Sequence, residues 1–370
     1  MGGNIKFFSK TRRYGREEYL ELEREIIIKI CFSGIFRKFK INDPLRNYLQ
    51  PIVAYESKDS FGDCDIIINS DELSTDWIPQ LVREFQLAHG DWSKGGNVLS
   101  FAYKNFQIDL IITPLEHCRT SADYFAFNDA GNLVGRISHK LGCKYGHRGL
   151  ELIIKDKGQT LGEILLTRDT SKIHELLNLN HQKWLDGFNT LEEMYEWISD
   201  SKYFNKDIYL LDNRNHYSRT RDNKRKTYSD FLIWCQDRDF INNYPHADIT
   251  EKSGYNIKEP FYSDLIVPKF PHIIEEYNAI LDKHNTNKLF KEKFNGKIIN
   301  ELTGLTSKEL GHFISYAKVQ IELTNTKDMF IKHTQHTCNQ MILSLHNHYE
   351  NGWESWLSVP EETATEFVRG

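Results

Sequence analysis

Apolar residues recur along the first third of the chain with two different periods. Over residues 15–40 they return at helical spacing among Glu and Arg residues, which predicts a helix that packs across a sheet. Further on, short runs rich in Ile, Val and Phe predict strands bounded by turn residues. The predicted elements are strands over residues 51–55 and 63–69, a helix over residues 75–88 with Ser74 as its cap, and a hairpin of residues 97–103 and 106–113.

Helical patterns dominate the chain after Pro114. They predict a helix over residues 128–141 with Asn128 as its cap, a strand pair at 151–154 and 162–166, and helices at 172–179, 191–199, 227–235, 273–283, 307–323 and 329–350. The fold class expected from this order is α+β, in which a small mixed sheet precedes a mainly helical C-terminal region. We predict three domains, at residues 1–145, 146–250 and 251–370.

Composition narrows the class of protein. The 370 residues are 39% hydrophobic and 13% aromatic, which argues against disorder, and no apolar run approaches the roughly 20 residues of a membrane helix. No secretion signal is evident, and the six cysteines lie without Cys-x-x-Cys pairs, so a cytoplasmic protein with reduced thiols is expected. The net charge of −5 provides no general basic field, and a bound polynucleotide would need a local basic patch.

Three aspartates carry the candidate chemistry. Asp63 and Asp65 open one isoleucine-rich run, and Asp109 lies inside another, between Ile108 and Leu110. Because strand side chains alternate, Asp63 and Asp65 share a face, and Asp109 joins them if the two strands are neighbours. Such hard oxygen ligands suit Mg²⁺ or Mn²⁺, and a pair of these ions can clamp an in-line attack on phosphorus. Alternatively, each Asp only begins or ends a strand at the surface, although the mid-run position of Asp109 argues against this.

Over residues 45–150 the chain resembles the nucleotidyltransferases of the DNA polymerase beta superfamily, which carry a Gly-Ser or Gly-Gly turn, an Asp-x-Asp strand and a later third Asp. The resemblance implies a palm-like sheet domain that transfers a nucleoside monophosphate from a nucleoside triphosphate. It also implies that Asp63, Asp65 and Asp109 are the catalytic metal ligands.

The turn before the Asp-x-Asp strand departs from that family's pattern. It reads Tyr-Glu-Ser-Lys-Asp-Ser-Phe-Gly over residues 55–62, with the serine kept and the glycine before it missing. The side chains of Ser57, Lys58 and Ser60 and the flexible Gly62 are the candidates for holding the triphosphate. Glu56 and Asp59 would repel it unless they point away or contact metal.

A weaker resemblance, over the first two thirds of the chain, is to uncharacterised nucleotidyltransferase-like proteins of large phages and giant viruses, which implies a host cytoplasm. It rests on an Asn-Asp-x-Gly-Asn-Leu-x-Gly-Arg pattern at residues 128–136, a Lys-x-Gly-His loop at 144–147, Tyr203 to Lys206 and the stretch from Asn213 to Tyr228. Arg136 and Lys140 lie four residues apart on the predicted helix over 128–141. We expect them over the triphosphate; the alternative is a solvated basic edge.

Basic residues cluster between Arg214 and Tyr228. The candidates for nucleic-acid binding are Arg219, Arg221, Lys224, Arg225 and Tyr228, of which the last four have helical spacing. Such a face suits RNA phosphates, with a tyrosine stacked on a base, so an RNA 3′ end, tRNA included, is the favoured acceptor. A solvated helix face is the alternative.

Two other functions stay open. The acidic net charge leaves room for a protein or small-molecule hydroxyl as the acceptor. The missing glycine of the turn favours a nucleotide-binding antagonist protein with weak catalysis, whereas the three intact aspartates favour the enzyme.

Overall fold

The computed structural model describes residues 11–236, 238–240, 243–246, 249–250 and 262–351. The chain divides into two compact units between Ile274 and Glu275. None of the helices in these described ranges is long and apolar enough to cross a membrane.

Strands occur in the N-terminal unit. They are β1 (Tyr14–Gly15), β2 (Leu49–Pro51), β3 (Ser60–Phe61), β4 (Asp63–Asn69), β5 (Trp92–Gly95), β6 (Val98–Tyr103), β7 (Phe106–Thr113), β8 (Cys143–Gly146), β9 (Gly149–Asp156) and β10 (Gln159–Thr167). They form a two-stranded ribbon β1-β3, a three-stranded antiparallel sheet β10-β9-β8 and a five-stranded sheet in the order β2-β4-β7-β6-β5.

Helices occur in both units. They are α1 (Arg16–Phe32), α2 (Trp77–Glu84), α3 (Leu115–Phe125), α4 (Ala130–Lys140), α5 (Thr170–Leu176), α6 (His181–Asp186), α7 (Leu191–Ser199), α8 (His216–Asp222), α9 (Lys226–Gln236), α10 (Val267–Lys269), α11 (Ile274–Lys293), α12 (Gly296–Thr303), α13 (Ser307–Leu323), α14 (Lys327–Lys332) and α15 (Gln335–Asn351). The second unit is built from α11 to α15 around a core that includes Phe290, Phe313, Phe330 and Ile342.

The five-stranded sheet is mixed, because β4 and β7 run parallel while the other neighbouring pairs are antiparallel. One face packs against α1: Cys64, Ile66 and Ile68 of β4 share a core with Ile26 and Ile30 of that helix. On the other face, Ile67 and Ile111 pack against Cys118 and Ala122 of α3. Strand alternation therefore gives β4 one wholly apolar face and a second face that is polar at its start.

The predicted α+β class is confirmed: a mixed five-stranded sheet region precedes a largely helical part. The strand over residues 63–69 and the 106–113 strand of the hairpin have the predicted bounds. Lys104 and Asn105 both adopt positive φ, which is the backbone that a two-residue hairpin turn requires. The three predicted domains stay a prediction; the boundary at 145/146 falls inside β8.

Several predicted bounds were wrong. The first helix ends at Phe32 rather than residue 40, because Gly34 takes a φ of +82° and the Ser33 hydroxyl bonds the Ile30 carbonyl. The first strand ends at Pro51, and α2 begins at Trp77 with Asp76, not Ser74, at its N-cap.

Two further predicted helices differ from those in the structure. Asn128 does not cap α4, because it has a φ of +64° and Asp129 occupies the N-cap position. The helix predicted over residues 329–350 is two helices, because His333 has extended backbone between α14 and α15.

Candidate active site

The parallel pairing of β4 and β7 brings the three aspartates to one face. Asp65 pairs with Asp109 in the register of the two strands, and Asp63 pairs with Gln107. Because paired residues of neighbouring strands point to the same side, Asp63, Asp65 and Asp109 share a face, as the sequence predicts. Cys64 lies on the reverse face, where it is buried and accepts a hydrogen bond from Tyr19.

Burial and mutual repulsion make this acid cluster electrostatically unfavourable when all its members are ionised. Burial, followed by the charges of Asp63 and Asp109, raises the pKa of Asp65 to about 7. Burial also raises the pKa of Asp109, although hydrogen bonds from Ser100 and Gln107 oppose this change. A cation bound beside these groups would relieve both costs.

Gln107 is a member of the cluster that the sequence analysis missed. Its amide Nε2 donates to Oδ1 and Oδ2 of Asp109 at 3.1 and 3.0 Å, and only 4% of the residue is exposed. The two residues are separated by one position on β7, so they project from the same side of the strand. A glutamine two residues before an aspartate in a strand was the available signal.

The donor set suits magnesium in its chemistry, since three carboxylates offer hard oxygen ligands on one surface. In this structure the three carboxylates are not arranged as a metal site: among the described residues, no group of three or more His, Cys, Asp or Glu side chains is placed to hold a metal ion. The Gln107 bonds to both oxygens of Asp109 are consistent with this arrangement. Holding a cation would therefore require the carboxylates to turn toward it.

The loop before β4 is held by hydrogen bonds to residues outside the five-stranded sheet. The backbone N–H groups of Glu56 and Ser57 donate to the carbonyls of Phe188 and Asn189, while the Arg16 guanidinium donates to the Lys58 carbonyl. This explains why β2 stops early. An open cleft of about 480 Å³ borders the loop and is lined by Gly15, Arg16, Glu17, Glu18, Glu56, Ser57, Lys58 and Asp59.

Lys58 links this loop to the acid cluster and to the start of α4. Its ammonium donates to Oδ1 of Asn128 at 3.3 Å and lies 4.5 Å from the centre of the Phe61 ring. Burial lowers the pKa of Lys58, and the charges of Asp63 and Asp65 oppose that shift, which places the ammonium within reach of their fields. Lys58 therefore lies close to the aspartates, and its predicted contact with a triphosphate stays a prediction.

Arg13 lies over the end of the same loop, and the sequence analysis missed it. It donates from Nε to the Ser60 hydroxyl at 2.7 Å and from Nη2 to the Ser60 carbonyl at 2.9 Å. A Cβ on residue 62 would lie 2.9 Å from Nη1 of Arg13, so Gly62 gives the guanidinium room to approach. Ser60 and Gly62 thus contact a cationic side chain directly before Asp63.

Arg136 and Lys140 are placed differently from the prediction. Both are buried: Arg136 donates from Nε to the Ile208 carbonyl at 2.7 Å, and the Lys140 ammonium donates to the Thr250 carbonyl. The solvated-edge alternative is also wrong, since neither side chain faces water. Both side chains instead connect α4 by hydrogen bonds to other parts of the chain, Arg136 to Ile208 and Lys140 to Thr250.

The basic segment does not form one helical face. The chain turns at residues 223–225 between α8 and α9, so the helical spacing from Arg221 to Tyr228 does not apply. Tyr228 is 1% exposed and donates to the Tyr209 carbonyl at 2.7 Å, which excludes it as an accessible stacking surface. The turn separates these residues between two helices, and Tyr228 is buried, so they do not share one exposed face.

Two of the predicted nucleic-acid-binding arginines contact α4 and its N-cap instead of projecting freely. Arg221 donates to Oδ1 of Asn132 at 2.8 Å, and Arg225 forms an ion pair with Asp129. Arg219 and Lys224 are exposed, and so is the neighbouring Tyr217 at 78%. Of the four basic residues predicted to bind nucleic acid, Arg219 and Lys224 are thus the exposed ones.

These contacts give a structural account of the pattern at residues 128–136. Asn128 bonds Lys58, Asp129 pairs with Arg225, Asn132 bonds Arg221, and Arg136 bonds the Ile208 carbonyl. The pattern therefore joins the loop, the basic segment and the turn near residue 208.

No protein-family model and no curated protein matches the chain.

Proposed function

We propose that the protein is a magnesium-dependent nucleotidyltransferase that transfers a nucleoside monophosphate from a nucleoside triphosphate to a hydroxyl acceptor. The pairing of Asp65 with Asp109 across parallel strands, with Asp63 on the same face, is the observation that carries the proposal. Two-metal phosphoryl chemistry needs several carboxylates on one rigid surface, and a sheet provides it.

In this proposal, Asp63 and Asp65 would hold two magnesium ions, and Asp109 would hold one of them and accept the hydroxyl proton. Magnesium, when bound, would supply the charge that lowers the pKa of that hydroxyl and offsets the charge of the pyrophosphate. Gln107 and Ser100 donate hydrogen bonds to Asp109.

We assign the triphosphate to the loop at residues 57–62. Ser57, Lys58, Ser60 and the backbone at Gly62 are its candidate contacts, and Arg13 adds a cation at the same end. Its guanidinium already donates to Ser60, so exchange of one bond for a phosphate oxygen keeps the group satisfied. Glu56 and Asp59 are exposed and line the same cleft, so this assignment requires that their charges be offset by magnesium bound with the triphosphate.

The favoured acceptor is an RNA 3′ end, because the exposed side chains of Arg219 and Lys224 suit RNA phosphates and exposed Tyr217 can stack on a base. A protein or small-molecule hydroxyl is the second, since Arg221 and Arg225 are engaged within the unit.

A nucleotide-binding antagonist with weak turnover is the competing function. It is favoured by the open arrangement of the aspartates within the described residues and by the hydrogen bonds that occupy Asp109.

Incubating the purified chain with each labelled triphosphate, magnesium and total RNA separates these functions. Label on RNA, or on the protein itself, supports transfer and identifies the acceptor class. Asp109→Asn should reduce the transfer by at least about 100-fold, whereas Asp212→Asn, an exposed acid outside the cluster, should not. Bound nucleotide without transfer in the parent protein would favour the antagonist function.

A further inference from the structure

The turn between α6 and α7 holds the loop at residues 55–58 through the backbone. The Glu56 N–H donates to the Phe188 carbonyl at 2.9 Å. The Ser57 N–H donates to the next carbonyl, that of Asn189, at 2.8 Å. Two successive backbone bonds therefore fix this part of the loop, and the loop side chains take no part in them.

The two accepting carbonyls are held in place in different ways. Phe188 is 1% exposed, and its ring centre lies 4.8 Å from that of Phe127 and 5.6 Å from that of Trp197. Packing in this aromatic cluster fixes its backbone. Asn189 is exposed, so the position of its carbonyl depends on hydrogen bonds.

Glu193 supplies those hydrogen bonds from the first turn of α7. Its Oε2 accepts from the backbone N–H of Asn189 at 3.1 Å, and its Oε1 accepts from Nδ2 of Asn189 at 2.9 Å. The Lys183 ammonium donates to the same Oε2 at 3.0 Å. The bonds from the side chain and backbone of Asn189, followed by that from Lys183, lower the pKa of Glu193 to about 2. The acceptor is therefore an ionised carboxylate, which forms stronger hydrogen bonds than a neutral oxygen.

The same glutamate belongs to a helix cap. Thr190 is the N-cap of α7, and its side chain accepts from the Glu193 N–H at 3.2 Å. In a capping box the glutamate returns this bond to the backbone N–H of the N-cap residue. Here the carboxylate bonds Asn189, one residue earlier, whose carbonyl holds Ser57. Glu193 thus connects α7 with the loop, a connection that helix capping does not require.

We propose that Glu193 is a positioning residue that holds the loop at residues 55–58 in place by fixing Asn189. That the loop is thereby oriented for a triphosphate, with the side chains of Ser57 and Lys58 in place to contact it, rests on the proposed function. The position of the loop can be measured without any ligand. Glu193 acts through Asn189 and is assigned no contact with substrate.

Hydrogen exchange of the full chain, resolved to single amides, tests the proposal. Glu193→Ala should speed exchange at the amides of Glu56 and Ser57 about 10-fold or more, because the loop then opens more often. Glu193→Gln keeps one acceptor oxygen and should recover part of the protection.

Triphosphate affinity provides a second measurement. In Glu193→Ala it should fall about threefold to tenfold, because the loop is in place for a smaller fraction of the time. Loss of a negative charge by itself would strengthen the binding of an anion, so weaker binding separates positioning from a change in charge.

Thr190→Ala is the matched control. It removes the cap bond at the same end of α7 and keeps the contacts between Glu193 and Asn189. Exchange at Glu56 and Ser57 that is no faster in Glu193→Ala than in Thr190→Ala would overturn the proposal. Faster exchange in Glu193→Ala alone, in a parent protein that binds no triphosphate, would support the proposal and refute only the proposed function.

Discussion

Lys58 donates to Asn128 across 3.3 Å, and this bond ties the loop beside the acid cluster to the turn from which α4 begins. The next residue, Asp129, pairs with Arg225. One turn therefore connects the candidate triphosphate loop with the basic segment. This connection explains why changes in either region are expected to affect stability as well as binding.

Asp65→Asn should change the dependence of stability on pH. The folded-state pKa of Asp65 is raised to about 7 by burial and then by Asp63 and Asp109, against about 3.9 in an unfolded chain. As pH rises, the unfolded chain therefore loses the Asp65 proton before the folded chain does. The free energy of unfolding falls progressively between about pH 4 and about pH 7 as a result. Above that range Asp65→Asn should be more stable than the parent by on the order of 1–3 kcal/mol, since partial exposure screens the penalty.

Urea unfolding at pH 5 and pH 8 measures this difference. Magnesium should recover part of it in the parent protein at pH 8, and should have less effect on Asp65→Asn. Parallel stability curves for the two proteins would show that Asp65 does not experience the repulsion described.

Removing cations from the loop should weaken triphosphate binding selectively. Lys58→Ala and Arg13→Ala should each reduce affinity about 10-fold to 100-fold, the usual effect of losing a charged hydrogen bond to phosphate. Affinity for the corresponding nucleoside should hardly change. Calorimetry with both ligands provides the measurement, and Arg12→Ala is the control, because Arg12 is exposed and pairs with Glu18. Equal affinities in Arg13→Ala and Arg12→Ala would remove Arg13 from the site.

The basic segment should separate into stabilising and accessible residues. Arg225→Ala removes the partner of Asp129 and should lower the free energy of unfolding by about 1–3 kcal/mol, whereas Lys224→Ala should leave it within about 0.5 kcal/mol. The combined Arg219→Ala and Lys224→Ala variant should weaken RNA binding and reduce its salt dependence. Filter binding over a salt series tests this. An unchanged salt slope would favour a protein or small-molecule acceptor.

Close packing of α4 against Tyr124 of α3 should make Gly131 intolerant of a side chain. A Cβ there would lie 2.1 Å from the Tyr124 carbonyl oxygen and 2.7 Å from its ring, so the backbone must shift. We expect Gly131→Ala to lower the free energy of unfolding by about 1–3 kcal/mol or more. Gly135→Ala, on the same helix, meets only the Tyr145 carbonyl at 3.6 Å and should be neutral or slightly stabilising. Equal melting temperatures for the two variants would contradict this account.

The sequence by itself determined the strand over residues 63–69, the hairpin turn at Lys104 and Asn105, and the shared face of Asp63 and Asp65. These features follow from local rules, because alternation and turn geometry depend on residues close in the chain. That Asp109 joins the first two aspartates needed the parallel pairing of β4 with β7, although its mid-run position suggested a strand.

Only the tertiary structure decided which polar side chains remain accessible. Arg136, Lys140 and Tyr228 occupy positions whose spacing suggests exposed or binding faces, yet carbonyls from distant parts of the chain bond all three as they become buried. Arg13 donates to Ser60 across 47 positions of the chain, a contact that no local pattern records. Burial and hydrogen-bond satisfaction are properties of the whole fold, and they decide the roles of individual charged residues.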